Sequence, residues 1–321
     1  MALPMSLRPW VRLRPSQRRP AKRHLPTAGL TCDPGPVLPR AATLLLLPLA
    51  LSACASFPRA LSYRTVRSPA LGETYATYAV LVPEGAEGPL PVVVFLHGGG
   101  DGPDCLDRHG VAPLLVAAMR EGRLPGAIVV VPQGHLGFWA NWYDGSRRYE
   151  DWVLDEVMPA VARRYRTLPC PEGCHLAGVS MGAEGALRFA VHRPGAFASV
   201  SVISGPALDT DRRIAFAADP LLNIVVPTHH VFGPVTPRSR VEEDDPFVRW
   251  QRPEDLSARL LLAWGSRDRG AVIEGSRHLD RHLTEHGIAH EAREFDGGHG
   301  WQAWGAVLVE ALGFALAPPG Q

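Results

Sequence analysis

Lysine is all but missing from this chain of 321 residues: Lys22 is the only one, and every other basic side chain is an arginine. Together with abundant Ala, Gly and Pro, that bias marks a GC-rich coding sequence rather than a function. Long apolar runs are missing as well. No stretch of about 20 consecutive apolar residues occurs, so no membrane-spanning helix is expected, although 46% of the residues are hydrophobic and suffice for a buried sheet. Cysteine is scarce, five in all, which excludes a small disulfide scaffold; no second Cys or His pair stands near Cys170 and Cys174 at the spacing of a zinc site. Net charge is only +1 at pH 7, but unevenly spread. From residue 54 onward lie 25 of the 33 basic and 31 of the 32 acidic residues, a net of −6. So mildly acidic a body offers no nucleic-acid surface.

The basic excess sits in an N-terminal arm. Arg40 is followed by the apolar core 41–50 and then by Leu51-Ser52-Ala53-Cys54. A positive residue, a short apolar core and small residues before a cut are the parts of an export signal. Leu51 to Cys54 also resembles a bacterial lipobox, which implies a lipid on Cys54 and attachment to the cell envelope. An ordinary signal cut near Ala53-Cys54-Ala55 is the alternative and would leave a soluble secreted or periplasmic protein. The first 40 residues are Pro- and Arg-rich without apolar periodicity, so initiation near Val37 would give a signal of ordinary length.

The most informative segment is Gly178-Val179-Ser180-Met181-Gly182. It follows the apolar run Cys174-His175-Leu176-Ala177 and opens a helix-like stretch from Ala183 to Val191. That is the strand, sharp turn and helix in which a G-x-S-x-G serine becomes a nucleophile. The order of further motifs supports it. Leu260 to Trp264 reads as a buried strand and runs into Gly265-Ser266-Arg267-Asp268, while Gly298-His299-Gly300 precedes the last helical segment. Upstream, the strand Pro91 to Leu96 ends in His97-Gly98-Gly99-Gly100, where such enzymes place an oxyanion donor. Serine, aspartate and histidine thus occur in the order that an α/β-hydrolase requires.

Several stretches make the likeness more specific. They are Val94-Phe95-Leu96 with the glycines after His97, Tyr149 to Val153 leading to Arg163-Arg164-Tyr165-Arg166, Met181 behind Ser180, and Gly298-His299-Gly300-Trp301-Gln302-Ala303-Trp304. Over roughly residues 60 to 317 the chain resembles the α/β-hydrolase group that includes esterase D-like, feruloyl and acetylxylan esterases and the antigen 85-like acyltransferases. Ala183 departs from that group, which often has another glycine there, and puts close helix packing at that point in question.

The rest of the chain reads as alternating strands and helices. Strands are expected at Tyr63–Arg67, Thr74–Val82, Ala127–Val131, His175–Val179, Ser199–Ile203 and His290–Phe295, and helices at Val111–Met119 and Asp151–Arg164. This predicts an α/β fold with a mostly parallel sheet covered on both faces. Residues 1–53 are arm and signal; 55–318 form one catalytic domain, since the motifs span Leu96 to Trp304 without a linker. Two long irregular segments, 132–149 and 205–256, are expected to wall and partly cap the substrate cleft.

The expected activity is a cofactor-free serine carboxylesterase acting through an acyl-enzyme on small acyl or aryl esters, sugar-linked ones included. His299 would take the Ser180 proton, Asp268 would fix the imidazole, and the amides of Met181 and of Gly99 or Gly100 would bind the oxyanion. Asp296 is the rival acid; His97 reads as a structural turn residue. Trp139, Trp142 and Trp301, with Trp304, would line an aryl or sugar site or else only order the loops. Dienelactone-type chemistry is not expected, because the elbow carries serine where those enzymes use cysteine. Acyl transfer to another acceptor, peptidase activity, and a non-catalytic shell that binds a partner or envelope glycan are the alternatives. Cys170 and Cys174 would close a small disulfide loop or both stay free. No metal is expected: His278, His282 and His286 read as a solvated helix face, and Glu242-Glu243-Asp244-Asp245 as a solvated loop lacking the EF-hand pattern.

Overall fold

Every second residue of the strand Val92–Leu96 faces the same side of the sheet, and both sides are buried. Val92, Val94 and Leu96 join one core with Trp152, Phe189 and Leu279. Val93 and Phe95 join the other with Leu115, Leu308 and Leu312. A strand buried on both faces needs helices above and below. The computed structural model describes residues 60–318 except 86 and 227, so the expected signal segment, its lipobox and Cys54 lie outside the described residues.

Eight strands form one sheet: β1 (Ser62–Ser68), β2 (Glu73–Leu81), β3 (Val92–Leu96), β4 (Ile128–Pro132), β5 (Cys174–Val179), β6 (Ser199–Ile203), β7 (Arg259–Arg267) and β8 (Glu291–Gly298). Their order across the sheet is β1-β2-β4-β3-β5-β6-β7-β8. Only β1 with β2 and β2 with β4 pair antiparallel. The other neighbours run parallel, so the carboxyl ends of β3, β5, β6, β7 and β8 meet along one rim. This is the mostly parallel α/β-hydrolase sheet. Helices Met181–His192 and Gly270–Glu285 cover one face, and Val111–Arg120 and Trp301–Leu316 the other. The helix expected over Asp151–Arg164 begins at Tyr149 and winds as a π-helix through Trp152–Val157 before Met158–Arg164. Among the described residues no helix is long and apolar enough to cross a membrane.

The segment 205–256 is not irregular. It holds the helices Thr210–Ala217, Leu222–Val225, Thr228–Val231, Arg238–Glu242 and Pro246–Arg249 and a 3-10 turn at Pro253–Asp255. Asp209 and Asp245 cap two of them by accepting from the amides of Arg212 and Phe247. All but one are too short to show an apolar period.

Within the acidic run Glu243 is exposed, but Asp244 and Asp245 are not solvated loop residues. Asp245 is 1% exposed and accepts from the amide and hydroxyl of Thr210. Asp244 receives Nε and Nη2 of Arg188 at 3.1 and 2.7 Å and Nε2 of His192 at 2.8 Å, while His192 Nδ1 lies 2.8 Å from buried Glu150. Burial alone would raise the Asp244 carboxyl; the Arg188 charge and the bond from His192 outweigh it and hold the group well below the usual carboxylate range. For His192 burial likewise opposes protonation, but the bonds to Asp244 and Glu150 prevail and bring its pKa up to about 9. These charges pin the segment to the helix that starts at Ser180. His282, placed on a solvated face by its spacing, instead meets the Trp250 carbonyl oxygen at 2.8 Å and packs near Phe247. Cys170 and Cys174 are joined as a disulfide, their Cα atoms 5.0 Å apart.

Candidate active site

The turn between β5 and the helix Met181–His192 sets Ser180 at φ 55°, ψ −117°, a conformation that a non-glycine residue holds only under constraint. The constraint is close packing. A β-carbon on Gly178 would lie 2.1 Å from the Gly182 carbonyl oxygen, and one on Gly182 would lie 1.9 Å from that of Leu96. Glycine at both places lets the helix start press against the end of β3. The Ala183 departure is absorbed by Gly205, whose own β-carbon would stand 2.7 Å from that of Ala183.

Ser180, Asp268 and His299 are far apart in sequence and meet at the sheet rim. Ser180 Oγ lies 2.9 Å from His299 Nε2, and His299 Nδ1 lies 2.7 Å from Asp268 Oδ1. The Asp268 side chain is fully buried. Burial works to raise its carboxyl, but hydrogen bonding from His299, from the Ser204 hydroxyl and from the Arg269 amide lowers it below the ordinary value, so it stays ionised at neutral pH. Asp296 is elsewhere: its side chain is 82% exposed and pairs with Arg267.

The sequence reading missed Ser204. It is fully buried at the end of β6 with φ 52°, and its Oγ accepts the Trp304 indole N–H at 2.9 Å. A lone serine beyond a strand carries no signal of such a contact.

Of the glycine turn, Gly98 packs against Ser180, its absent β-carbon 3.5 Å from that of Ser180. Among the described residues the amides of Gly99 and Gly100 donate to no protein acceptor. As the first residue of its helix, Met181 has an N–H without an intrahelical partner. Gly99, Gly100 and Met181 line the same cavity as Ser180. His97 holds the turn: Nδ1 donates to the Gly98 carbonyl oxygen at 2.8 Å, leaving Nε2 to accept the Gly134 amide at 3.1 Å. Burial lowers its pKa to about 4, so it is neutral and structural.

Ser180 opens into a cavity of about 750 Å³ whose walls come from both long segments, with Leu136 and Phe138 from one and Leu208, Phe216 and Phe232 from the other. Trp301 and Trp304 line it. Trp301 Nε1 donates to Asp101 at 2.9 Å, and the Trp304 ring meets the His299 ring edge-on at 4.9 Å. The other two tryptophans are not in this cavity. Trp139 is fully buried against Gly134 and Gly185 and donates to the His97 carbonyl oxygen, bracing the glycine turn from below. Trp142 donates to the Gly137 carbonyl oxygen and lines an adjoining hollow with His135 and Tyr149, which shares Gly100, Asp101 and Leu136 with the cavity. Side-chain type alone does not distinguish a tryptophan that stacks on ligand from one that supports a loop.

The family described as Putative esterase matches residues 68–315, most of the chain. The chain belongs to this esterase family. Among curated relatives, Esterase Rv1288 and Esterase MT1326 of Mycobacterium tuberculosis are each 31% identical over 228 residues, 65% of this chain and 48% of theirs. The chain therefore spans about half the length of the curated relatives it matches. Solved structures share the esterase fold at low identity. The fluorophosphonate-binding serine hydrolase FphF of Staphylococcus aureus superposes with a TM-score of 0.66 at 18% identity, covering 81% of this chain and 99% of its own. MPT51 of Mycobacterium tuberculosis does so with a TM-score of 0.66 at 20% identity, covering 81% and 100%.

Proposed function

We propose that this chain hydrolyses carboxylic esters through an acyl-enzyme on Ser180. The observation that carries the reading is the unbroken line from Ser180 through His299 to an ionised, buried Asp268 beside three uncommitted amides. Esterase names among the curated relatives, and the serine-hydrolase name of FphF, support it.

In the forward half, His299 Nε2 takes the Ser180 proton as Oγ attacks the ester carbonyl carbon. The carbonyl oxygen becomes an oxyanion held by the Met181 amide and that of Gly99 or Gly100, worth about 3 kcal/mol for each donor. Asp268 keeps the Nδ1 proton in place and stabilises the imidazolium. When the tetrahedral adduct collapses, the C–O bond to the alcohol breaks and His299 returns the proton to the departing oxygen. Water then repeats the sequence on the acyl-serine and frees the acid. The apolar cavity walls fit short acyl or aryl groups.

Hydrolysis of p-nitrophenyl esters from acetate to palmitate, with Ser180→Ala as control, tests this. Activity that falls with chain length and vanishes in the variant supports a short-acyl serine esterase; equal inactivity of two folded proteins rejects it. Export and lipid attachment at Cys54 complete the proposal, supported by the apolar core 41–50 and Leu51 to Cys54. A membrane-extracted protein carrying no lipid on Cys54 would refute that part.

A further inference from the structure

Leu136 lies where the two hollows of the site meet. It lines the cavity of about 750 Å³ that holds Ser180 and also the adjoining hollow of about 460 Å³, walled by His135, Trp142, Arg147 and Tyr149. Its Cδ2 packs on the glycine turn, 3.5 Å from where a β-carbon of Gly99 would stand, so it borders one of the amides proposed to hold the oxyanion. Leu136 is nevertheless 36% exposed, and among the described residues it joins none of the buried apolar clusters.

An exposed leucine by itself carries no meaning. The backbone beneath this one does. Gly134 to Gly137 form a turn closed by the Gly137 amide on the Gly134 carbonyl oxygen at 3.0 Å, and His135 in that turn is held at φ 46°, which a non-glycine residue rarely adopts. The turn has no room to relax. A β-carbon on Gly134 would lie 2.4 Å from the Trp139 ring and one on Gly137 2.1 Å from the Tyr149 ring, while His135 Nδ1 stands 2.9 Å from the Tyr149 hydroxyl oxygen. Strain of this kind persists only where the surroundings enforce it, and it clusters where ligands are held. Here it fixes an apolar side chain beside the oxyanion turn while adding nothing to the core.

An ester has two limbs, one on each side of its carbonyl carbon. Phe138, Leu208, Phe216 and Phe232 offer one limb the apolar end of the Ser180 cavity. The hollow beyond Leu136 offers the Trp142 ring as a surface for another. Because Leu136 abuts Gly99 and lines both spaces, a limb running from the bound carbonyl toward that hollow meets its side chain.

We infer that Leu136 is the size-selecting residue of this ester site: it closes the passage from the Ser180 cavity to the Trp142 hollow, so that one limb of the substrate must be compact. The inference rests on Ser180 being the nucleophile of this cavity. The restricted limb is either the acyl or the alcohol part, and three esters separate these sources. Ethyl butyrate is compact on both sides, benzyl butyrate carries a ring on the alcohol, and ethyl 3-phenylpropanoate carries one on the acyl group.

Leu136→Ala is expected to raise kcat/KM for at least one ring-bearing ester, relative to ethyl butyrate, by about tenfold over the wild-type ratio, since a pocket wall misplaced by even one methylene changes selectivity that much. Leu136→Val should give an intermediate ratio. Both variants should keep the wild-type urea midpoint, because the side chain lies outside the core. A residue that merely supported the fold would instead lower the midpoint and slow all three esters together, and that result overturns the inference. Unchanged ratios for both ring-bearing esters, with turnover still dependent on Ser180, overturn the size-selecting role alone. Equal inertness of wild type and Ser180→Ala toward all three overturns the esterase reading and this inference together.

Discussion

A β-carbon on Gly182 would stand 1.9 Å from the carbonyl oxygen of Leu96. The start of the nucleophile's helix and the end of β3 are therefore in backbone contact, and this contact brings the glycine turn 98–100 beside Ser180. Gly182→Ala must push rigid backbone apart. It is expected to destabilise the protein by about 3 kcal/mol in urea denaturation, as overpacking does in a filled core. A change within experimental error would show that the contact does not set the elbow.

Ser204 accepts from Trp304, which leaves its hydroxyl hydrogen free to bond Asp268 and help lower that carboxyl. If that hydroxyl helps keep the carboxylate ionised and oriented, Ser204→Ala lowers kcat about tenfold with KM unchanged, the equivalent of one hydrogen bond to a buried charge. Steady-state kinetics on p-nitrophenyl butyrate read this directly. An unchanged kcat would leave Asp268 dependent on His299 and Arg269 alone.

His192 joins Asp244 and Glu150, and its pKa rises from 6.5 to about 9. A base whose pKa is raised by folding contributes stability that is complete below its unfolded value and is lost as pH climbs through the folded one. Thermal stability is thus expected to decline between pH 6.5 and about 9 through this group. His192→Gln should melt lower than wild type at pH 6 and lose less between pH 6.5 and 9. Parallel Tm profiles for the two proteins would contradict the assignment.

Trp139 and Trp301 separate support from lining. Trp139→Ala removes a fully buried ring and is expected to cost about 3–5 kcal/mol in stability. Trp301→Ala is expected to cost less stability but to change KM for aryl esters, because its ring faces the cavity. Denaturation curves and KM values for both variants check the contrast.

The central strands were legible because they are buried on both faces and so read as continuous apolar runs, as in Val92 to Leu96 and Leu260 to Trp264. Ser180, Asp268 and His299 were legible because the chemistry fixes each to a strand end and in one order. What was not legible depends on partners distant in sequence. Asp244 and Asp245 read as solvated charge, since nothing local announces Arg188, 56 positions away, or Thr210, 35 positions away. For the same reason the sequence left Trp139 open between lining a site and ordering the loops. Ser204 gains its meaning only when the end of β6 meets Asp268 and Trp304.

The most direct test of the account is to catch the acyl group on its nucleophile. The enzyme would be mixed with p-nitrophenyl butyrate, quenched in acid within the first turnover, and its mass and peptides analysed. The account predicts a burst of nitrophenol and one butyryl group on the peptide that carries Ser180, with neither in Ser180→Ala. Butyryl on another residue, or undiminished turnover in Ser180→Ala, would contradict it.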